Sequence, residues 1–354
     1  MITNDGRPLT VIGHPSTIYN MNSGLHYSDY LKLDELLNSQ HLKSDLQHEH
    51  AHDEMLFIII HQTYELWFKQ LLYEVDSIIG ILEKPTLNDD SPELQTIVHR
   101  LNRCNTILKL LVQQIEVMET MSPMDFLDFR DMLRPASGFQ SIQYKIIEAR
   151  LGLKFDQRHE KNHYISQLRG KEVNMIRHAE SQKTLLELLN DWLERMPFLK
   201  ENDFWTGYRK LYLESLSEEE KEHAALFDTV FSDEYISKEP LYRSLSPAAC
   251  RAGLFIMIYP GYPILQLPYR LLIALLEMDE QLSTWRYRHM HMVHRTIGTR
   301  VGTGGSSGKS YLQGTVDKHS IYREIAQLTS FLIERKKLPH LDRQMERRLG
   351  FASE

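Results

Sequence analysis

Residues 52–73, HDEMLFIIIHQTYELWFKQLLY, set a histidine, His61, one helical turn after Phe57, among apolar residues that recur at three- and four-residue steps. Such an imidazole can exchange one hydrogen bond with a ligand or bind a metal, although a lone histidine on an apolar face is more often a satisfied core residue. A second candidate is WRYRHM at 285–290, which leads into the glycine-rich GTGGSSG at 302–308. His289, with Trp285 and Met292 one turn to either side, suits axial ligation of a haem iron. The loop can bring backbone N–H groups close to a charged ligand, or it is simply a long connection. In the third segment, FLDFRDMLRPASGFQS at 126–141, Arg130 lies between aromatics, where a guanidinium needs an anionic partner. A ligand carboxylate is one such partner; on the residues alone, an internal salt bridge to Asp128 or Asp131 is the commoner arrangement.

Other chemistries fit less well. The loop resembles a phosphate-binding loop only superficially, because Thr303 stands where GxxxxGK[ST] needs its first glycine, and residues 290–300 read as helix and turn instead of a buried strand. His48, His50 and His52 alternate before the first long helix, and His289, His291 and His294 cluster later, but neither spacing matches HExxH or a cysteine–histidine zinc signature. His289 and His291 would point about 160° apart on a helix. A helical metal-dependent hydrolase is what these histidines would otherwise suggest.

These groups have to be positioned by helices. Caps such as Ser91-Pro92, Ser122-Pro123-Met124-Asp125, Thr184 with Glu187, Ser217 with Glu220, and Ser246-Pro247 precede apolar-periodic segments, while alternating strand patterns are nearly absent. The expected class is all-α: a helical bundle with long helices over roughly 52–83, 92–120 and 265–295, and a terminal one near 317–335. Residues 196–263, with the run Glu218-Glu219-Glu220 and Pro240, Pro247, Pro260 and Pro263, read as an inserted small helical subdomain between 25–195 and 264–354. Residues 1–24 read as an N-terminal arm that a neighbouring subunit could order.

At 354 residues and 42% hydrophobic content the chain can bury a large core, and a net charge of −7 gives no reason to expect nucleic acid as a partner. Cys104 and Cys250 are too few for a disulfide framework, no targeting segment is evident, and the most apolar stretch, 253–259, falls well short of the about 20 residues a membrane span needs. The expectation is a soluble, cytoplasmic protein that does not engage a membrane.

Taken in order, YSDYL at 27–31 with Leu36-Leu37, HDEMLFIIIHQTYELW, FRDMLRPASGFQS, WRYRHM and GTGGSSG resemble the tryptophan 2,3-dioxygenase family over about residues 27–312. These are haem enzymes that cleave the indole C2–C3 bond of L-tryptophan with O2 to give N-formyl-L-kynurenine, the first step of the kynurenine pathway. The insertion looks like that of the longer, animal-type branch. The resemblance implies one haem b per subunit, O2 as co-substrate, and a homotetramer built as a dimer of dimers. His289 matches the proximal haem ligand and His61 the distal histidine near the indole N–H. Phe57 and Phe126 match the distal pocket, where many compact bacterial members carry tyrosine in place of Phe126. Arg130 matches the arginine that grips the substrate carboxylate, and Thr303 the loop threonine near its ammonium. Tyr27, Tyr30 and Leu31 match positions that reach an adjacent subunit's pocket, while Leu133 and Ser137 match wall and distal-side positions. The alternative is a non-catalytic haem or tryptophan sensor with the same pocket.

Overall fold

The computed structural model describes residues 24–85, 87–88, 91–159, 165–196, 202–232, 243–302 and 309–350, and among these every regular element is helical. The chain divides into two compact units, Met1–Leu42 and Lys43–Glu354. The smaller holds α1 (Tyr27–Leu31) and α2 (Leu33–Leu37). His26 caps α1, accepting from the Ser28 N–H, and Lys32 turns the chain between the two helices with φ 55°. Of the expected 1–24 arm, only Gly24 is among the described residues.

The larger unit begins with α3 (Lys43–Leu46), followed by the two long helices α4 (Asp53–Leu82) and α5 (Pro92–Met118). Ser91 caps α5 and Pro92 occupies its first turn, as the sequence predicts. Then come α6 (Pro123–Arg130), α7 (Ile142–Leu151), α8 (Gly170–Ser181), α9 (Leu185–Glu194), α10 (Asn202–Ser215), α11 (His223–Phe231) and α12 (Pro247–Ile258). The longest helix, α13 (Pro263–Ile297), is followed by α14 (Lys309–Lys318), α15 (Arg323–Gln327) and α16 (Arg343–Leu349).

Helix α5 packs along both α4 and α13. Leu94, Ile97, Leu101, Cys104, Leu108 and Leu111 of α5 recur every three or four residues and are fully or almost fully buried, so one face of this helix lies within the bundle. Polar ties fix the register. The Asn105 side chain donates to the Ala274 carbonyl at 2.9 Å, and the Tyr64 hydroxyl donates to the Leu111 carbonyl at 2.9 Å. The segment 196–263 contributes Tyr208, Tyr212, Phe227 and Phe231 to the same core, with Phe231 4.9 Å from Phe331 and the Tyr208 hydroxyl donating to the Phe331 carbonyl. No single described helix is long and apolar enough to cross a membrane.

The terminal helix expected over 317–335 is broken into α14, α15 and a 3-10 turn at Leu328–Phe331. The cause is tertiary: buried Asp279 on α13 accepts from the backbone N–H of Ile321 (2.9 Å) and Tyr322 (3.1 Å) and from the Ser320 hydroxyl (2.6 Å). A carboxylate that satisfies these donors holds the chain out of helical geometry between the two helices. Gly152 ends α7 at φ +135°, where a side chain would meet Leu186 at 2.7 Å, so only glycine allows the chain to turn this close to α9.

Candidate functional site

The site is built first by α6. Ser122 and Asp125 form a reciprocal capping box, in which the Ser122 N–H donates to the Asp125 carboxylate at 2.9 Å and the Asp125 N–H to the Ser122 hydroxyl at 3.2 Å. With Pro123 in the first turn, this fixes the phase of an eight-residue helix so that Phe126, Phe129 and Arg130, at i, i+3 and i+4, are buried together. Phe57 of α4 completes the wall, its ring 5.7 Å from Phe126 and 5.5 Å from Phe129.

One turn on, the His61 ring lies 4.1 Å from that of Phe57, and His61 Nδ1 is 2.7 Å from the Phe57 carbonyl. A carbonyl only accepts, so Nδ1 carries the proton and Nε2 is left with a lone pair. His61 lines the cavity and is exposed to it, and desolvation by the surrounding protein lowers its pKa despite the Phe57 bond. The imidazole is therefore a neutral acceptor at physiological pH.

Across the same cavity of about 260 Å³ stands His289, on α13. Its ring stacks parallel on Trp285 at 5.1 Å, and Trp285 in turn packs 5.0 Å from Tyr144. Burial, with a smaller contribution from His61, pushes the His289 pKa down to about 4. A neutral, sterically fixed imidazole on the wall of a cavity whose lining includes Met118, Met121, Phe126, Met292 and Ile297 has the chemistry of an axial ligand to a large, largely apolar metal cofactor.

Arg130 lines this cavity and is only 5% exposed. It donates to the Val301 carbonyl, while its Nε has no hydrogen-bond partner among the described residues. The internal salt bridge anticipated from sequence does not form: Asp131 pairs with Arg134 at 3.3 Å, and Asp128 faces outward. A buried guanidinium with a spare donor and, among the described residues, no carboxylate beside it has the chemistry to receive an anionic group.

The remaining candidates divide. Ser137 lines the cavity and caps a short 3-10 turn, accepting from the Phe139 N–H at 3.3 Å. Leu133 packs behind the wall against the aromatic cluster. Gly302 reaches the cavity, whereas Thr303 and the rest of the loop to residue 308 lie outside the described residues. Tyr27, Tyr30 and Leu31 belong to the smaller unit. The other histidines act separately: His50 pairs with Asp45 at 2.6 Å, His291 packs on Tyr287, and His294 Nδ1 lies 3.3 Å from the Gly298 carbonyl, at the end of α13. Among the described residues no group of three potential ligands gathers to hold a metal ion.

Sequence reasoning missed a polar cluster beside Trp285. Glu148 is buried and accepts from Arg158 Nη1 at 2.6 Å and Arg286 Nη2 at 2.9 Å, with His319 Nδ1 3.5 Å away. Burial opposes its ionisation, but Arg158 foremost, with His319 and Arg286, holds the carboxyl well below the usual range. Lys145 is buried one turn away, and its pKa is pushed down to about 8 by burial, Glu148 opposing and Arg158 adding to the shift. The signal was present as a lysine and a glutamate at i, i+3 within the apolar run IQYKIIEARL, a spacing that places both on one helix face.

A profile of the tryptophan 2,3-dioxygenase family matches residues 15–229 and 214–332. The chain is 42% identical to a tryptophan 2,3-dioxygenase of Alteromonas mediterranea, over 92% of this chain and 97% of that protein. It is likewise 42% identical to one of Bdellovibrio bacteriovorus, over 92% and 98%. Similarity extends to animals, with 39% identity to the Rattus norvegicus tryptophan 2,3-dioxygenase over 90% of this chain and 85% of that protein.

Proposed function

The chain belongs to the tryptophan 2,3-dioxygenase family, and from that premise we propose that its cavity binds haem b and L-tryptophan together and uses O2 to open the indole ring, giving N-formyl-L-kynurenine. It is an enzyme of tryptophan oxidation; the relatives are named for catalysis, which does not favour the sensor reading. The observation that carries the proposal is the pairing, in one cavity, of neutral His289 with buried Arg130, whose Nε has no hydrogen-bond partner among the described residues.

His289 is the residue that would hold the haem iron, because its imidazole is unprotonated well below neutral pH and the Trp285 stack fixes the ring plane. Haem supplies the iron that makes O2 reactive toward the indole. The protein's part is orientation. Arg130 engages the substrate carboxylate in a buried, charge-assisted contact, Gly302 lines the cavity, and Thr303 would contact the substrate's ammonium. His61 Nε2 accepts from the indole N–H, the one polar atom of the ring that the aromatic wall leaves to be satisfied. Phe57 and Phe126, backed by the buried Phe129, hold the indole flat and exclude water, which protects the oxygen-reactive centre. Ser137 lies at the rim on this side and Leu133 backs the wall.

Assembly as a homotetramer, a dimer of dimers in the cytoplasm, belongs to the same proposal. Tyr27, Tyr30 and Leu31 would complete the pocket of an adjacent subunit; no residue of α1 is buried, which suits a segment whose partner is another copy. Two buried free thiols, Cys104 and Cys250, are compatible with a reducing compartment.

The test is the visible spectrum of protein expressed with haem supply, followed by reductant, oxygen and L-tryptophan. A haem spectrum with formylkynurenine absorbance is expected; haem without product returns the sensor reading, and a folded protein that takes up no haem sinks the assignment of His289.

A further inference from the structure

One fully buried carboxylate has no part in the mechanism above. Glu54 lies in the first turn of α4, three residues before Phe57 and seven before His61, and is 0% exposed. A carboxylate is costly to bury unless donors surround it. Its Oε1 accepts from the Lys43 N–H at 2.7 Å and its Oε2 from the Ser44 N–H at 2.9 Å, so both oxygens hold the backbone at the start of α3. The intervening chain is also closed on itself: the Glu49 N–H donates to the Ser44 carbonyl at 2.9 Å, and the Glu54 N–H to the Ala51 carbonyl at 3.2 Å. The buried Ser44 hydroxyl has no hydrogen-bond partner among the described residues, so Ser44 is held through its backbone. A four-residue helix has little stability of its own, and Glu54 supplies the anchor that α3 lacks.

What α3 braces is the site. It packs against the 3-10 turn Asp131–Leu133, which begins at the residue after Arg130. Ala51, at the far end of the anchored segment, is buried in one apolar cluster with Ile60, Phe126 and Phe129, against which Phe57 and Leu133 also pack. Residues 43–51 thus join the cluster that forms the aromatic wall and support the turn that ends α6. Resting on the reading of Arg130 as the receptor of the substrate carboxylate, we propose that Glu54 is a positioning residue for substrate binding. Its carboxylate ties α4, which carries Phe57 and His61, through α3 to the turn after Arg130, and so sets the guanidinium relative to the His61 ring. The two groups that take the amino-acid end and the indole N–H stand on different helices, α6 and α4. An error of about 1 Å in their separation is costly where catalysis depends on orientation.

The experiment compares Glu54→Gln with the wild-type holoenzyme in steady-state kinetics and urea unfolding. Glutamine keeps the volume but turns one acceptor into a donor that faces a backbone N–H. KM for L-tryptophan is expected to rise about three- to tenfold, with kcat within about twofold. Added to Arg130→Ala, the same substitution should change KM by less than about twofold, because the two residues act through one contact with the substrate. The control is Glu74→Gln. Glu74 is another buried carboxylate of α4, paired with Arg103 at 2.7 Å and outside the cavity lining, so its loss should lower the urea midpoint and leave KM unchanged. If Glu54→Gln does not fold, Lys43→Pro decides the matter, since it deletes one donating N–H at the first position of α3, where proline is accommodated, and should raise KM by a smaller factor. An unchanged KM in the folded variant overturns the proposal, as does a rise matched by Glu74→Gln or a full further rise on top of Arg130→Ala. If Arg130→Ala itself leaves KM unchanged, the reading of Arg130 fails and the proposal with it, an outcome distinct from an unchanged KM in Glu54→Gln alone.

Discussion

Arg130 and His61 approach the cavity with opposite hydrogen-bonding capacity, and this sets what each substitution should do. Arg130 offers a buried donor with no partner, so Arg130→Ala removes a carboxylate partner and leaves the chemistry intact. KM for L-tryptophan is expected to rise at least about tenfold, with a smaller change in kcat, in steady-state assays; an unchanged KM would remove Arg130 from substrate binding. His61 offers an acceptor at Nε2, since Nδ1 is committed to the Phe57 carbonyl. His61→Ala should slow turnover while haem content, read from the Soret band per chain, stays at the wild-type level. His289→Ala should abolish that band. Both histidines were recognisable in the sequence, but which nitrogen of His61 is free depends on a contact within one turn of folded helix. The salt bridge anticipated for Arg130 failed for a similar reason: Asp131 is turned to Arg134, a choice that spacing along the chain left open.

At the scale of elements, α6 is the part on which the site most depends, because an eight-residue helix has little stability of its own and its phase decides whether Arg130 reaches the cavity. Ser122→Ala breaks half of the capping box and should cost about 1 kcal/mol, read as a lower midpoint in urea with an unchanged slope. Because Phe126 and Arg130 move with this helix, KM should rise in the same variant. Gly152→Ala should cost more than the cap. It forces a side chain into φ +135° and against Leu186, so a fall in melting temperature larger than that of Ser122→Ala is expected. Caps of this kind were legible in sequence because they are local. The break at residues 319–322 was not, because the acceptor that imposes it, Asp279, lies about forty residues earlier on another helix.

For the whole molecule, the burial that makes the site also makes it acid-sensitive. His289 has a folded pKa of about 4 against 6.5 unfolded, so the folded state binds fewer protons between those values. Its contribution is therefore complete above pH 6.5 and is lost as pH falls toward 4, by up to roughly 3 kcal/mol, and burial of His61 and His319 acts in the same direction. The urea midpoint of haem-free protein should fall between pH 7 and pH 5, and His289→Leu should flatten that slope; a slope unchanged by the substitution would mean that His289 does not titrate as a buried group. How much of this was readable in advance follows the range of the interactions. Apolar periodicity and helix caps act within a few residues, so the all-α class, the three long helices and the placement of Phe57, His61, Phe126, Arg130 and His289 on helical faces were determined by the sequence alone. The meeting of Lys145, Glu148, Arg158, Arg286 and His319 was decided only by the tertiary structure, since ion pairs and packing join residues up to 171 positions apart without leaving any local periodicity.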